Sequence, residues 1–301
     1  MPARLIDGQA LAARIRADLA PQVEAIRRRI GSPPRLASIL VGDNAGARVY
    51  SRSQARSCDE AGIAYDLVEL PASTTAAALA ETIARLGADR GVHGILLQMP
   101  LPPGLVAREM TERIPPAKDV EGVTAANLGR LMFLDGADLV PCTAAAAYEL
   151  IRFSGREIRG AECVVVGRSA IVGKPVACLI MNDRGTCTVC HTGTRDLKGH
   201  TRRADVLVVA TGRPGLITGE HVMPGATVID VGINRVPVLD AAGQPVLDEK
   251  GRKKMKTVGD VDFESAVAVA GAITPVPGGV GPVTVAMLLR NTVRAALAQT
   301  G

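Results

Sequence analysis

Aromatic residues are scarce in this sequence: its 301 residues include three Tyr, three Phe and no Trp. Hydrophobic residues nevertheless make up 47% of the chain, and Ala, Val and Leu abound among them. This composition disfavours an aromatic-rich β-sandwich and favours helices packed closely on a parallel sheet, the α/β class. Because the length exceeds one typical domain, we expect two lobes, each with its own core.

The sequence also lacks an apolar run long enough for a membrane span, which excludes a membrane-helix protein. Its Arg-rich first 31 residues contain Asp7, Asp18 and Glu24, which argues against a transit peptide. We therefore expect a cytoplasmic protein with no membrane partner. The six cysteines are interpreted as reduced thiols, since no signal peptide precedes them.

Charge of one sign is not in large excess, because 35 Lys and Arg stand against 30 Asp and Glu, a net charge of +5. The densest basic cluster, 250–256, is short, and we interpret it as a solvated turn; a phosphate or polyanion patch is the alternative. No nucleic-acid partner is expected. The net positive charge mildly favours anionic small ligands.

The first half of the chain alternates between helical and strand-like patterns. This alternation predicts parallel strands joined by right-handed helical crossovers, with site residues near the carboxyl ends of the strands. The predicted helices are 11–30, 47–61 and 75–86, and the predicted strands are 36–42, 63–69 and 93–98.

A second alternating block begins at Thr143, a predicted N-cap for a helix over 144–153. Its predicted strands are 162–167, 187–191, 206–210 and 227–231. A polar excursion over 237–257 predicts a hairpin, and the last helix, 283–297, is expected to return to the first lobe. We predict a Rossmann-type domain at 145–275 and a first domain formed by 1–144 and 276–301.

A glycine turn directly follows the strand over 162–167. Gly167 ends the strand and Gly173 opens a helix, the context in which backbone N–H groups at a helix N-terminus bind a pyrophosphate. Ser169 stands where a strict G-x-G-x-x-G has its second glycine, so an ordinary glycine turn is the alternative. The turn predicts a dinucleotide site.

The cofactor preference follows from the next strand, which ends in His191–Arg195 without the acidic residue that would hold an NAD ribose. Arg168, with Thr192 and Arg195, can instead hold a 2′-phosphate by charge-assisted hydrogen bonds. This arrangement favours NADP. In the alternative interpretation, Arg168 is a surface residue and Thr192 is a helix N-cap.

The stretch Cys187–His191 formally matches both the C-x-x-C-H haem pattern and a redox C-x-x-C. It is predicted to be a strand, however, where residues three apart point to opposite faces, so the two sulfurs cannot meet. We expect both cysteines to be packing residues and predict no metal site.

Motifs spread over nearly the whole chain resemble those of the bifunctional methylenetetrahydrofolate dehydrogenase/cyclohydrolase family. Pro275 and Pro277 fix the backbone of the most specific of these motifs, and Gly278 and Gly279 let it approach a flat ligand closely. The matching stretches are Val41–Asp43, Val49–Tyr50, Gln98–Pro102, Lys118–Gly122, Pro141–Thr143, Val166–Ser169, Ile229–Asn234, Val258–Val261 and Ile273–Pro282.

The resemblance implies two lobes, an NADP cofactor, a tetrahydrofolate-type substrate and a homodimer formed through the cofactor lobes. It also implies that Pro282 starts a helix and that the backbone of Ile233 contacts the nicotinamide end of the cofactor. The implied substrate-binding residues are Tyr50, Gln98, Glu121, Pro277, Gly278 and Gly279. The implied cofactor-binding residues are Gly167, Arg168, Ser169, Ile171, Val172, Gly173, Thr192 and Ile233.

Two of the candidate site residues depart from the family pattern, and Gly87 and Val283 are smaller deviations elsewhere. The family carries Tyr-x-x-x-Lys on a first-lobe helix, a spacing that puts both side chains on one face, but Tyr50 is followed here by Gln54. An amide cannot titrate or carry a charge, and Arg52 and Arg56 lie around the helix from it. Glu121 replaces the aspartate that hydrogen-bonds the pterin in the family.

The catalytic candidates are therefore Tyr50, Gln54, Gln98 and Glu121. Hydride transfer needs alignment of donor and acceptor but no obligatory acid or base, whereas hydrolysis of the methenyl product needs proton transfer. We expect a dehydrogenase whose cyclohydrolase activity is weak or lost. The alternatives are a fully bifunctional enzyme, a catalytically silent folate or NADP sensor, and an amino-acid or shikimate-type dehydrogenase.

Overall fold

A computed structural model of the chain describes residues 2–133, 138–240, 243–249 and 251–301. Ala241, Ala242 and Lys250, which belong to the predicted excursion and basic cluster, lie outside the described residues. The chain divides into two compact units. Unit 1 comprises Met1–Leu11 and Ala146–Val283, and unit 2 comprises Ala12–Ala145 and Thr284–Gly301. No helix among the described residues is long and apolar enough to cross a membrane.

Helices and strands alternate along most of the described chain. The helices are α1 (Gly8–Ile30), α2 (Ala45–Glu60), α3 (Ala76–Ala88), α4 (Ala107–Thr111), α5 (Ala125–Phe133), α6 (Cys142–Phe153), α7 (Gly173–Asn182), α8 (Leu197–Thr201), α9 (Phe263–Val267) and α10 (Val280–Thr300). The strands are β1 (Arg4–Leu5), β2 (Arg35–Val41), β3 (Ala64–Leu70), β4 (Gly94–Leu97), β5 (Glu162–Val166), β6 (Thr186–Cys190), β7 (Val206–Val209), β8 (Thr227–Asp230), β9 (Asn234–Pro237), β10 (Met255–Val258) and β11 (Ala272–Ile273).

Unit 2 contains a parallel three-stranded sheet in the order β3-β2-β4. Polar caps fix where two of its helices begin: the Asn44 side chain accepts from Ala47 N at the start of α2, and Thr75 accepts from Ala78 N at the start of α3. Apolar residues of β2, β4 and α3 form one core cluster. The carboxyl end of β4 therefore leads directly to Gln98.

Unit 1 contains a parallel six-stranded sheet in the order β1-β11-β8-β7-β5-β6. Its central strands β5, β7 and β8 are buried almost throughout, and β5 and β7 are rich in valine, as expected for a sheet covered on both faces. The register aligns their carboxyl ends, because Val166 pairs with both Cys190 and Val209, and Val209 pairs with Asp230. Ligand-binding loops of such sheets lie at this edge.

The structure corrects three details of the sequence prediction. Thr143 lies inside α6 rather than at its N-cap, and α10 begins at Val280, so Pro282 lies in its first turn. The first residues belong to unit 1 and not to the first domain, because β1 pairs with β11. The last helix does return to the unit that contains β2–β4, as predicted, from Thr284 onward.

Candidate active site and cofactor site

The turn after β5 requires glycine at two positions. A Cβ on Gly167, whose φ is +129°, would lie 2.2 Å from the Ala210 carbonyl oxygen. A Cβ on Gly173 would lie 2.1 Å from the Gly167 carbonyl oxygen, so the start of α7 touches the turn itself. Only glycine permits so close an approach. The resulting backbone cradle suits a dinucleotide pyrophosphate.

Polar and apolar side chains surround this cradle at the N-terminus of α7. The Ser169 hydroxyl accepts from Val172 N at 3.2 Å and Gly173 N at 3.3 Å, so this serine orders the turn in place of the missing glycine. Arg168 is exposed, and Ile171 is 53% exposed. Lys174, an exposed cation in the first turn of α7, was absent from the sequence prediction.

The loop after β6 offers cations and hydroxyls but no unengaged carboxylate. Thr192 and Arg195 are exposed, while the nearest acid, Asp196, caps α8 by accepting from Gly199 N at 2.8 Å. The interpretation of Thr192 as a helix N-cap is therefore wrong, because Asp196 fills that position. The loop leaves the space beside Arg168 without a competing acidic partner from this segment.

Two aspartates that sequence analysis left without a role organise the loops after β7 and β8. Asp230 accepts from Gly232 N, Asp260 N and Val261 N at 2.9–3.0 Å. Burial raises the pKa of Asp230 to about 6 against the opposing effect of these backbone donors. Asp260 in turn accepts from Thr211 N at 2.5 Å and Asn234 Nδ2 at 2.8 Å.

This aspartate pair presents Ile233, which lies between two residues it holds and is 69% exposed. An apolar side chain at such exposure is available to contact a ligand. The signal that could have identified the pair was its position near glycines at strand ends, since Asp230 lies two residues before Gly232 and Asp260 directly follows Gly259. Periodicity alone does not reveal hydrogen bonds between such distant segments.

The proline-glycine loop lies in unit 1 beside the start of α1. Gly8 N donates to Gly278 O at 3.1 Å, and a Cβ on Gly8 would lie 1.9 Å from Gly279 O. Gly278 has a φ of +107°, which favours glycine. Thr274 joins the loop to the sheet, because its hydroxyl accepts from Asp230 N at 2.8 Å. Pro277, Gly278 and Gly279 thus share unit 1 with the dinucleotide turn.

Unit 2 brings Gln54 and Gln98 into contact. Gln98, which follows β4, donates from Nε2 to Gln54 Oε1 at 2.6 Å and to Ser38 Oγ at 2.9 Å. Both glutamines are buried, whereas Arg52 and Arg56 on the same helix are exposed. Neither arginine therefore occupies the position of the family lysine.

Tyr50 lies one turn before Gln54 on α2 and is 42% exposed. Desolvation and the charge of Glu121 raise the pKa of Tyr50 well above its ordinary value, while a hydrogen-bonding interaction with Gln54 lowers it. An amide N–H facing a phenol oxygen has this lowering effect. Gln54 Oε1 also accepts from Gln98, so the same amide contacts Gln98 and acts on Tyr50.

The amide pair continues into a hydroxyl cluster that sequence analysis did not identify. Ser51 Oγ and Tyr65 OH lie 2.8 Å apart, and Tyr65 also interacts with Ser38 and Gln98. Burial raises the pKa of Tyr65, although these neighbours oppose the shift. The cluster holds the Gln98 side chain against β2 and β3, so its orientation is set by the sheet.

Glu121 stands in a loop that is anchored on both sides. The buried Asp119 accepts from Gly122 N at 3.0 Å, Thr124 N at 2.8 Å and Asn127 Nδ2 at 2.9 Å. Asp119 also forms a parallel bridge with Ile95 of β4. Burial, together with the charge of Asp119, raises the pKa of Glu121 to about 7. The site therefore contains a carboxyl group that titrates near neutral pH.

The Cys187 and Cys190 thiols take no part in these arrangements. Cys187 and Cys190 lie on β6, where Cys190 is buried and Cys187 half-buried, and all six cysteines are free. Burial raises the pKa of both thiols. Within the described ranges, no group of three His, Cys, Asp or Glu side chains is arranged to hold a metal ion.

A six-stranded parallel sheet with a glycine cradle at its carboxyl edge, together with a second α/β unit that holds a polar site, defines a two-domain dinucleotide-binding protein. Residues 6–121 match the model of the tetrahydrofolate dehydrogenase/cyclohydrolase catalytic domain. Residues 141–300 match the NAD(P)-binding domain of the same family. The chain therefore belongs to the tetrahydrofolate dehydrogenase/cyclohydrolase family.

Relatives match this chain over nearly its whole length. The bifunctional protein FolD of Azoarcus sp. (strain BH72) is 49% identical over 293 residues, which cover 97% of this chain and 96% of the relative. A Trypanosoma brucei FolD structure, complexed with NADP cofactor and inhibitor, has 40% identity and a TM-score of 0.89, with 99% and 98% of the two chains covered.

A bifunctional FolD structure from Campylobacter jejuni is similar at 39% identity and a TM-score of 0.89, covering 98% of this chain and 99% of its own. These matches confirm the family resemblance found in the sequence. The alternative of an amino-acid or shikimate-type dehydrogenase is therefore wrong, because the chain belongs to a different family.

Proposed function

We propose that this chain oxidises 5,10-methylenetetrahydrofolate to 5,10-methenyltetrahydrofolate with NADP. The observation that carries the proposal is the pairing of two sites in one family member: the glycine cradle of unit 1 and the Gln98–Gln54–Tyr50 series of unit 2. NADP supplies the hydride acceptor. The residues proposed to hold it are those of the cradle and its borders: Gly167, Arg168, Ser169, Ile171, Val172, Gly173, Thr192 and Ile233.

The preference for NADP over NAD is supported by charge. The cation Arg168 borders the turn, and the one acid near the end of β6, Asp196, is engaged in capping α8. A 2′-phosphate gains charge-assisted hydrogen bonds from a guanidinium, whereas an unphosphorylated ribose lacks its usual carboxylate partner. The T. brucei relative was also crystallised with NADP.

We propose that Tyr50, Gln98 and Glu121 of unit 2 bind the folate. The family resemblance also implies substrate contacts for Pro277, Gly278 and Gly279, which belong to unit 1. The task of the folate site in hydride transfer is alignment, which needs rigid side chains. Gln98 is held by Ser38 and Gln54, and the Glu121 loop is held by Asp119. These restraints let the chain orient a pterin without supplying an acid or base.

The names of the relatives support a second activity, the opening of methenyltetrahydrofolate by water. FolD proteins at 45–49% identity are called bifunctional, so the bifunctional alternative is better supported than the expectation that cyclohydrolase activity is lost. One observation favours the second candidate, a dehydrogenase with weak cyclohydrolase activity. That observation is the uncharged pair Gln54–Gln98 where the family pattern has a lysine.

Parallel assays of the two reactions on the purified chain test these proposals. We expect NADPH to form from methylenetetrahydrofolate and NADP⁺; a sensor would bind both ligands without forming NADPH, which would refute the enzymatic proposal. The loss of methenyltetrahydrofolate absorbance measures the second activity. Exposed Arg52→Gln serves as the control on α2 for Gln54→Lys, which tests whether a cation at the family position changes the hydrolytic rate.

We also propose a homodimer, which the family resemblance implies. The experiment is light scattering coupled to size exclusion. A mass near twice 31.2 kDa is expected, and a mass of one chain at micromolar concentration would refute the dimer.

A further inference from the structure

Glu121 combines a rigidly held backbone with a side-chain carboxylate that no hydrogen-bond donor engages among the described residues. Its neighbours are anchored: Asn291 Nδ2 donates to Val120 O at 2.8 Å, and Cys142 N donates to Glu121 O at 3.3 Å. Gly122 has a φ of +73°, and a Cβ there would lie 2.5 Å from the Val140 carbonyl carbon. The loop can therefore neither shift toward 139–141 nor swing away from β4.

The Glu121 carboxylate itself has no hydrogen-bond partner among the described residues, and the influences on its titration are burial and Asp119 alone. The neighbouring Asp119, in contrast, has its oxygens engaged by three N–H donors. A half-buried carboxylate without donors is costly to keep charged. No donor among the described residues holds the Glu121 carboxyl in its charged form, and burial raises its pKa.

Tyr50 lies on α2 beside an amide pair that cannot take up a proton. Gln98 donates to Gln54, and a hydrogen-bonding interaction with Gln54 lowers the pKa of Tyr50. Glu121 is the acidic group whose charge acts most strongly on this phenol. Gln54 and Gln98 cannot titrate, so the titratable groups around the phenol are Glu121 and the Cys142 thiol.

We propose that Glu121 performs the proton transfer that the family pattern assigns to a lysine on α2, with Tyr50 orienting the reacting molecule. This inference rests on the proposed function, and specifically on its hydrolytic half. In this interpretation, Gln54 in place of the family lysine and Glu121 in place of the family aspartate are two parts of one functional change. The titrating group moves from position 54 to position 121, and the extra methylene of glutamate extends the carboxylate further from the anchored loop.

In the proposed reaction, Glu121 takes a proton from water and later returns it to the leaving nitrogen. The oxygen of a water molecule bonds to the cationic methenyl carbon while one of its protons passes to the Glu121 carboxylate, giving a neutral hydroxy adduct. A ring carbon–nitrogen bond then breaks, and the Glu121 carboxyl returns its proton to the leaving nitrogen. The hydroxyl becomes a formyl carbonyl as its proton passes to solvent, so one proton is released overall.

The electrostatic surroundings support this role at neutral pH. Asp119 of the same loop acts on Glu121, and Glu121 in turn acts on Tyr50 of α2 and on Cys142 of α6. Arg290 of α10 opposes the rise in the pKa of Cys142. Burial and Asp119 raise the pKa of Glu121 to about 7, close to the value at which a proton-transfer group is most effective. Burial raises the pKa of Cys142, so this thiol stays protonated.

The test compares both reactions in the native chain, Glu121→Gln, Glu121→Asp, and Glu121→Gln combined with Gln54→Lys, across pH 5 to 9. We expect Glu121→Gln to lower the methenyl-opening rate by about 100-fold or more and to remove its dependence on a group with a pKa near 7. The Glu121→Asp variant is expected to keep that dependence at a lower rate. The added lysine is expected to restore opening with a different pH profile.

Glu109→Gln, a charge removal at an exposed position on α4, is the matched control and is expected to leave both rates within about twofold, as is usual for surface substitutions. Circular dichroism verifies that each variant is folded. An unchanged pH profile in Glu121→Gln, or an absence of opening in a native chain that still reduces NADP⁺, would overturn this inference and leave the proposed dehydrogenase standing. Failure to reduce NADP⁺ would instead refute the proposed function.

Discussion

The raised pKa of Glu121 makes the free energy of unfolding depend on pH. Its pKa is raised to about 7 in the folded chain by burial and by Asp119, whereas an unfolded chain has an ordinary glutamate near 4.3. The folded state therefore binds a proton more tightly. Stability contributed by the protonated carboxyl is complete below pH 4 and is lost as the pH rises through 7.

We accordingly expect Glu121→Gln to change the free energy of unfolding little at pH 4 but to raise it at pH 8, by on the order of 2 kcal/mol relative to the native chain. Urea unfolding at the two pH values measures the difference. Glu109→Gln is the control, because its side chain is exposed. Equal effects of Glu121→Gln at both pH values would contradict the assigned protonation.

The Arg168 side chain is proposed to determine the preference for NADP over NAD. The change Arg168→Ala is expected to raise the KM for NADP⁺ about tenfold, since a charge-assisted hydrogen bond contributes about 1.5–3 kcal/mol, and to alter the KM for NAD⁺ less than twofold. Steady-state kinetics with both cofactors measure this. Arg159→Ala, at an exposed arginine before the amino end of β5, is the control. Equal losses for both cofactors would contradict a 2′-phosphate contact.

At the scale of elements, the start of α7 depends on the absence of a side chain. In Gly173→Ala the new Cβ would lie 2.1 Å from Gly167 O and 3.0 Å from Arg168 N, so either the helix or the cradle must move. We expect the free energy of unfolding to fall by about 1–3 kcal/mol or more and the Kd for NADP to rise at least tenfold. Thermal unfolding and fluorescence titration measure the two effects.

Gly129→Ala is the matched control for this helix-start substitution. A Cβ at Gly129 in α5 meets nothing within 4 Å, so alanine is expected to stabilise the chain by up to about 1 kcal/mol. If both substitutions gave the same sign, the close packing of α7 on the turn would not be what constrains Gly173.

The longer helices and the buried strands are the elements that the sequence predicts best. The predicted helices 11–30, 47–61, 75–86, 144–153 and 283–297 lie within about three residues of those in the structure, because burial imposes periodicity on them. The shorter helices α4, α5, α8 and α9 were not predicted. β1 was missed, since its two residues show no period and belong to a sheet whose other strands lie far along the chain. Thr143 had the chemistry of an N-cap, but the helix continues through it, an override of local preference by packing.

The sequence pointed to individual residues of the candidate site but not to the hydrogen bonds between them. Gly167, Gly173 and Gln54 stand out because their residue types are chemically exceptional in their positions. The aspartate pair Asp230–Asp260 and the Tyr65–Ser51 contact were not predictable, since each is a hydrogen bond between residues that tertiary structure brings together. Protonation states such as that of Glu121 depend on burial, which no local pattern encodes.

At the scale of the whole molecule, the division into two units leads to a prediction about where NADP acts. All the residues proposed to hold NADP belong to unit 1, and a ligand that binds only the native state stabilises it by about 2.7 kcal/mol at a hundredfold excess over Kd. That stabilisation acts most on the local openings that expose the bound backbone. It need not alter local openings elsewhere.

We therefore expect NADP to slow amide hydrogen exchange most in 167–173, 191–195 and 231–234, and to leave local exchange in α3 (Ala76–Ala88) of unit 2 nearly unchanged. Mass spectrometry of peptides with and without NADP measures this, with Gly173→Ala as the control in which protection at 167–173 is expected to be lost. Equal protection of α3 and the cradle would contradict a cofactor held by unit 1. Protection in the Gly173→Ala variant equal to that of the native chain would refute the cradle as the pyrophosphate site.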